Sequence, residues 1–186
     1  ETFNVPSPRA GILNKILDDA QELQRQGETR SILFCFTCDP YQKIDERYQI
    51  TREALKILLP RGLNVTILTK GGARSERDFD LLAQYPEQAT YAATLVFTNE
   101  EQRRVYETGT AAPTAERIAA LERAHDLGLK TWVSIEPVFD PAQSLDLIRQ
   151  THEFVDLYKV GTLNYAPEAK TIDWQQFGED AITLLE

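Results

Sequence analysis

Two apolar runs in this chain end abruptly in residues that can do chemistry. Residues 31–38 close in Thr37-Cys38-Asp39-Pro40, and residues 64–69 close in Thr69-Lys70-Gly71-Gly72. A helix-like segment separates them, so the stretch reads as a β-α-β unit with an acid at one strand end and a lysine at the next. Three later apolar runs end the same way, in Thr94 and Thr98, in Ser134 and Glu136, and in Thr162 and Asn164. In parallel sheets, ligands and catalysis collect at this C-terminal edge. Such a rim suits a ligand carrying both an ammonium and a carboxylate. Asp39 or Glu136 would pair with the first, and Lys70 with the second.

Each residue also has a plainer role open to it. An aspartate before proline commonly closes an Asx turn. Lys70 is either a solvated loop lysine or part of a rim site, where Gly71 and Gly72 would allow a backbone nest for an anion. Cys35 and Cys38 read as small core residues, and they lack the second pair that a zinc site needs. His125 and His152 fall on helices without metal-ligand spacing. Lys159, inside the last strand, is either a Schiff-base lysine activated by burial or, as we prefer, an outward-facing or snorkelling one.

The elements that must position these groups alternate along the chain. Helices are expected from about Ser7-Pro8 to Gly27, and over 51–60, 114–127, 140–154 and 173–186. A short helix through Gln84, with Ser75 and Asp78 spaced to cap it, adds to them. Strands are expected over 31–38, 64–69, 91–97, 130–135 and 155–163. Residues 98–113 read as the longest loop. Gly27, Gly62 and Gly128 each stand one to three residues before a strand, where a left-handed glycine turns the chain back. The order, one helix and then five β-α units, makes a parallel sheet, open or curling towards a barrel.

Composition sets the frame. A chain of 186 residues suits one domain spanning 1–186, burying roughly 70% of the unfolded surface. A net charge of −9 argues against a strongly basic nucleic-acid surface, while leaving room for a local patch. No apolar run approaches the ~20 residues that span a bilayer. With nothing resembling a signal peptide, a cytoplasmic protein with free thiols is expected. The sequence has no methionine, and one expectation is that it begins inside a longer protein.

Taken together, FTCDPYQ, ITREALKILL, ILTKGG with RDFDLL, YAATLVFTNEE, SIEPVFDP and VDLYKVGTLNY resemble the radical S-adenosylmethionine superfamily. The nearest branch is the one related to spore photoproduct lyase and labelled DNA repair photolyase-like. The resemblance implies a partial (β/α) barrel whose mouth holds S-adenosylmethionine and a 4Fe–4S cluster. It places Thr37, Cys38 and Asp39 at the strand end that meets the methionyl amino group. Lys70, Thr94, Ser134 and Glu136 then fall at cofactor-contacting positions. The three-cysteine cluster motif of the family does not occur in this sequence, so the cluster ligands and the first barrel strand are expected upstream. Where the lyases carry a cysteine three residues before the strand-end aspartate, this chain has Phe36. Two other readings stand beside this one: a Schiff-base lyase or aldolase using Lys159 or Lys70, and a non-enzymatic α/β binding domain.

Overall fold

The computed structural model describes residues 7–34, 38–107, 109–163 and 170–186. Thr37, Asn164, Cys35 and Phe36 lie outside the described residues. The helix α1 (Ile12–Gln26) leads into β1 (Ile32–Phe34), followed by α2 (Asp45–Tyr48), α3 (Ile50–Leu58) and β2 (Val65–Thr69). After a 3-10 segment over Gly72–Asp78 come α4 (Phe79–Leu82) and β3 (Ala89–Thr94). The chain continues through α5 (Glu100–Tyr106), α6 (Thr114–Asp126) and β4 (Lys130–Val138). It ends with α7 (Pro141–Thr151), β5 (Leu157–Thr162) and α8 (Trp174–Leu185).

Among the described residues, the five strands form one sheet in the order β1-β2-β3-β4-β5, every pair parallel. Sequential order combined with right-handed crossovers sends the connecting helices to the same face. The packing agrees. Val65, Ile67, Tyr91, Ala93, Val133 and Ile135 alternate along the strands, and all join one core with Leu55, Leu58, Ala120, Leu121, Leu147 and Ile148 of the helices. Each such fully buried valine, leucine or isoleucine side chain stabilises the fold by about 1.5–3 kcal/mol. The other strand face carries Thr66, Leu68, Thr90, Ala92, Thr94, Trp132, Ser134 and Lys159, which share register across the sheet. One face dressed with helices and one without is the construction of a (β/α) barrel wall, not of a doubly wound sheet.

The glycine turns form as the sequence implies. Gly27, Gly62 and Gly128 have φ of 67°, 76° and 78°. Asp140 and Asp173 cap α7 and α8 through side-chain bonds to the amides of Ala142 and Gln176.

Other expectations need correction. The first helix starts at Ile12, not near Pro8. Ser75 does not cap α4, because its hydroxyl is taken by the Gly72 carbonyl and the Tyr91 phenol at 2.6 and 2.7 Å. The expected loop 98–113 contains α5, capped by Asn99, whose side chain accepts from the amides of Glu101 and Gln102. Asp140-Pro141-Ala142-Gln143 has capping-box spacing, but Gln143 Nε2 donates to the Asp140 carboxylate at 3.0 Å, while its amide oxygen accepts from the amides of Thr98 and Asn99 at 3.0 and 2.9 Å. That ties the β3–α5 turn to the start of α7. The described residues hold no helix long and apolar enough to cross a membrane.

Candidate functional site at the C-terminal edge of the sheet

The predicted rim residues divide into two groups. The first is a knot between the ends of β1 and β2. Asp39 Oδ1 accepts from the Tyr41 amide at 2.8 Å and from the Thr69 hydroxyl at 2.7 Å, and Oδ2 accepts from the Lys70 amide at 2.6 Å. Asp39 therefore makes the Asx turn and joins two strand ends at once. The Gly71 amide donates to Thr69 Oγ1 at 2.8 Å. The amides of Lys70 and Gly71 are both spent inside the fold, so they do not form the anion nest that the glycine pair suggested. Gly71 is needed for a different reason. A Cβ there would stand 2.9 Å from both Thr69 Oγ1 and Tyr41 Cβ. Tyr41 itself is buried. Its phenol is pushed well above its usual range, by burial first and then by the nearby Asp78 carboxylate.

Lys70 reaches away from this knot. Its Nζ lies 3.0 Å from Glu107 Oε1, at the C-terminal end of α5. Glu107 is 5% exposed and is also held by both Nη atoms of Arg117, which is 1% exposed. Arg117 further donates to the carbonyls of Ala112 and Thr94 at 2.8 and 2.9 Å. This buried cluster locks the long β3–α6 connection onto the end of β3. Burial alone would raise the Glu107 pKa, but the hydrogen bonds and charges of Arg117 and Lys70 outweigh it and hold the carboxyl below the usual range. A depressed folded-state pKa contributes stability that is present above the unfolded value of about 4.3. That stability is lost as pH falls through the folded value. The melting temperature should therefore drop below pH of about 4.3. Glu107→Gln should show a shallower acid dependence in thermal unfolding, and parallel curves for the two proteins would refute the assignment.

The second group lies on the helix-free face. Thr94 and Ser134 are register partners on β3 and β4, and Ser134 is in turn the partner of Lys159 on β5. Thr94 and Ser134 are buried, whereas Glu136 is exposed. Ser134 Oγ donates to Glu136 Oε2 at 2.9 Å. Glu136 leans over β5, where the neighbour is Gly161. A Cβ at Gly161 would meet Glu136 Cγ and Oε1 at 3.0 Å, so a glycine leaves space for the carboxylate.

Two residues sit differently from expectation. Cys38 is an exposed free thiol and not a core residue. It opens on a cleft of about 470 Å³ shared with Ser7, Ile12, Asp39, Tyr48 and Thr51. Lys159 is exposed, as the preferred reading has it, but it does not stand on the helix-covered face of the wall. The β4–β5 register puts it on the helix-free face, with Nζ 4.2 Å from the centre of the Trp132 ring. His125 and His152 are surface residues, as expected.

With this geometry in hand, comparison with known proteins decides the family. Residues 3–155 match the model of the Radical SAM superfamily. The chain belongs to that superfamily. A radical SAM chain of this kind is also 32% identical over 132 residues to Uncharacterized protein Rv2578c of Mycobacterium tuberculosis, covering 67% of this chain and 38% of that protein. It is 27% identical over 124 residues to Uncharacterized protein ORF301 of Acidianus two-tailed virus, covering 67% and 40%. The chain thus spans about 40% of the length of these curated relatives. Among solved structures, Streptococcus suis SuiB bound to S-adenosylmethionine matches over 98% of this chain and 43% of its own. The TM-score is 0.71 at 16% identity. That likeness supports the radical SAM partial barrel as the fold.

A 4Fe–4S cluster held by three cysteines does not fit the residues present. The sequence has two cysteines, and no cluster of metal-ligating side chains occurs among the described residues. S-adenosylmethionine fits better. Thr94, Ser134 and Glu136 put two hydroxyls and a carboxylate at one mouth, a donor set suited to a cofactor with ribose hydroxyls and an ammonium.

Sequence reasoning missed Glu107, Arg117 and Arg103, which lie around the long connection. A signal was available in Asn99-Glu100-Glu101-Gln102, which has the spacing of a capping box.

Proposed function

We propose that the helix-free mouth of this sheet binds S-adenosylmethionine as the core of a radical enzyme, with the cluster ligands supplied from outside these 186 residues. The observation that carries the reading is the Thr94–Ser134–Glu136 row at the C-terminal strand edge, with the Ser134 hydroxyl fixing the Glu136 carboxylate at 2.9 Å. In this superfamily the bound cofactor supplies a 5′-deoxyadenosyl radical for hydrogen abstraction. The chain's own residues bind and orient. Glu136 offers its Oε1 to a ligand hydroxyl or ammonium, while Ser134 occupies Oε2. Thr94 adds a hydroxyl on the same face. Asp39 holds the β1 and β2 ends in register and so shapes the neighbouring wall. The family-based assignment adds Cys38 to that wall, and its Thr37 lies outside the described residues.

The finer branch, related to spore photoproduct lyase, is supported by the sequence segments quoted above. Phe36 in place of the lyase cysteine speaks against photoproduct repair as the reaction, and a net charge of −9 speaks against extended nucleic-acid contact. The Schiff-base alternative loses ground because Lys159 is exposed, so it lacks the burial that activates such lysines.

Calorimetric titration of the full-length protein with S-adenosylmethionine tests the reading. Glu136→Gln and Ser134→Ala should each weaken binding about tenfold, or about 1.4 kcal/mol. Unchanged affinity in both variants would remove the site from this mouth.

A further inference from the structure

We infer that Lys159, seated on Trp132, is the anchor for an anionic group, a carboxylate or phosphate, of the molecule that shares the mouth with the proposed cofactor. The argument begins with what the lysine lacks. Among the described residues no carboxylate lies within ion-pair distance of Lys159, although Glu136 stands on the neighbouring strand two residues beyond its register partner Ser134. The described salt bridges elsewhere engage Lys70, Arg103 and Arg117 around Glu107. The cation nearest the mouth on the predicted β2 rim is therefore neutralised within the fold. Among the described residues, Lys159, which stands nearer the C-terminal edge of the helix-free face than Lys130, is not.

The contact that Lys159 does make leaves it ready to bind. Its ammonium lies 4.2 Å from the indole centre. The ring attracts the charge through its quadrupole and uses none of the three N–H donors as a carboxylate would. The head group is held in place with its hydrogen-bonding capacity free, so less side-chain entropy is lost when an anion arrives. Trp132 is 6% exposed, which fixes the platform beneath it.

The surroundings set the class of ligand. The positions flanking Lys159 on this face are Ser134, Trp132, Leu157 and Gly161. They supply a hydroxyl, an apolar floor and an open backbone, and their side chains bring no charge to oppose an anion. Glu136 beyond Gly161 is committed on one oxygen to Ser134. It would repel an anion placed on its own side, which directs the anionic group to the Lys159 side of the mouth. That a cofactor shares the mouth rests on the proposed function, but the anion site itself does not require that S-adenosylmethionine bind.

The test uses the full-length protein and two probes, inorganic phosphate and acetate, at low ionic strength. The readout is the indole N–H resonance of Trp132, assigned by its loss in Trp132→Phe. Saturable movement with one probe is expected, and the tighter probe tells phosphate from carboxylate. Lys159→Met should weaken that binding at least tenfold, and Lys159→Arg, which keeps a cation over the ring, should stay within about threefold. No saturable shift with either probe, or equal shifts in Lys159→Met, overturns the proposal. Titration of the same samples with S-adenosylmethionine separates the two claims. Loss of cofactor binding with the anion response intact sinks only the proposed function, and the reverse sinks only this inference.

Discussion

Arg117→Ala is expected to destabilise the domain by about 3–5 kcal/mol. The guanidinium is 1% exposed and serves three partners at once. These are the Glu107 carboxylate, the Ala112 carbonyl and the Thr94 carbonyl. Truncation leaves a buried carboxylate with weaker compensation and two carbonyls without a donor. The cost of a buried unpaired group exceeds the modest net value of the bond that was removed. Urea unfolding at neutral pH measures this directly. The double variant Arg117→Met with Glu107→Leu supplies the control. Replacing both charged partners by apolar residues is commonly near neutral, so it should recover much of the loss. A single variant as stable as the parent would show that the cluster contributes nothing to the fold.

Asp39→Ala should cost about 2–4 kcal/mol: hydrogen bonds to a charged acceptor are worth about 1.5–3 kcal/mol each, and of the three lost from this partly buried site water replaces a part. Asp39→Asn should recover only part of this. It keeps an acceptor for one side of the knot and turns an amide NH2 towards the Lys70 or Tyr41 N–H. The effect should appear in thermal unfolding even without any ligand. Cofactor affinity measured at a temperature where the variant is folded should change less than stability does. The opposite pattern, normal stability with lost affinity, would make Asp39 a binding residue and not a structural tie.

The strands, the helix ends and the barrel-type sheet were legible because they rest on local chemistry. Leu55, Leu58 and Leu59 lie on one face of the α3 region and are all buried, as helical spacing demands. A one-face buried stripe also runs through α6 at Thr114, Arg117, Ala120, Leu121 and Ala124. An arginine in that stripe marks a buried ion pair, but its partner Glu107 lies ten residues away in what reads as a polar loop. Sequence spacing carries no information on where a long side chain folds back. The same limit applies to Lys70. Its position at a strand end was read correctly, yet whether the rim offers a free cation depends on Glu107, which a separate helix delivers.

What the sequence determined by itself is the order of the strands and main helices, their parallel arrangement and the edge at which polar groups gather. Periodicity, caps and left-handed glycines act over a few residues and need no partner to take effect. Tertiary structure alone decided which of those polar groups are spent and which are free. Asp39 and Lys70 are consumed by contacts spanning 30 or more residues. Strand register brings Lys159 beside Ser134 and onto Trp132. A register step of one residue moves a side chain to the opposite face of a sheet, and that step is set by the packing of the whole layer.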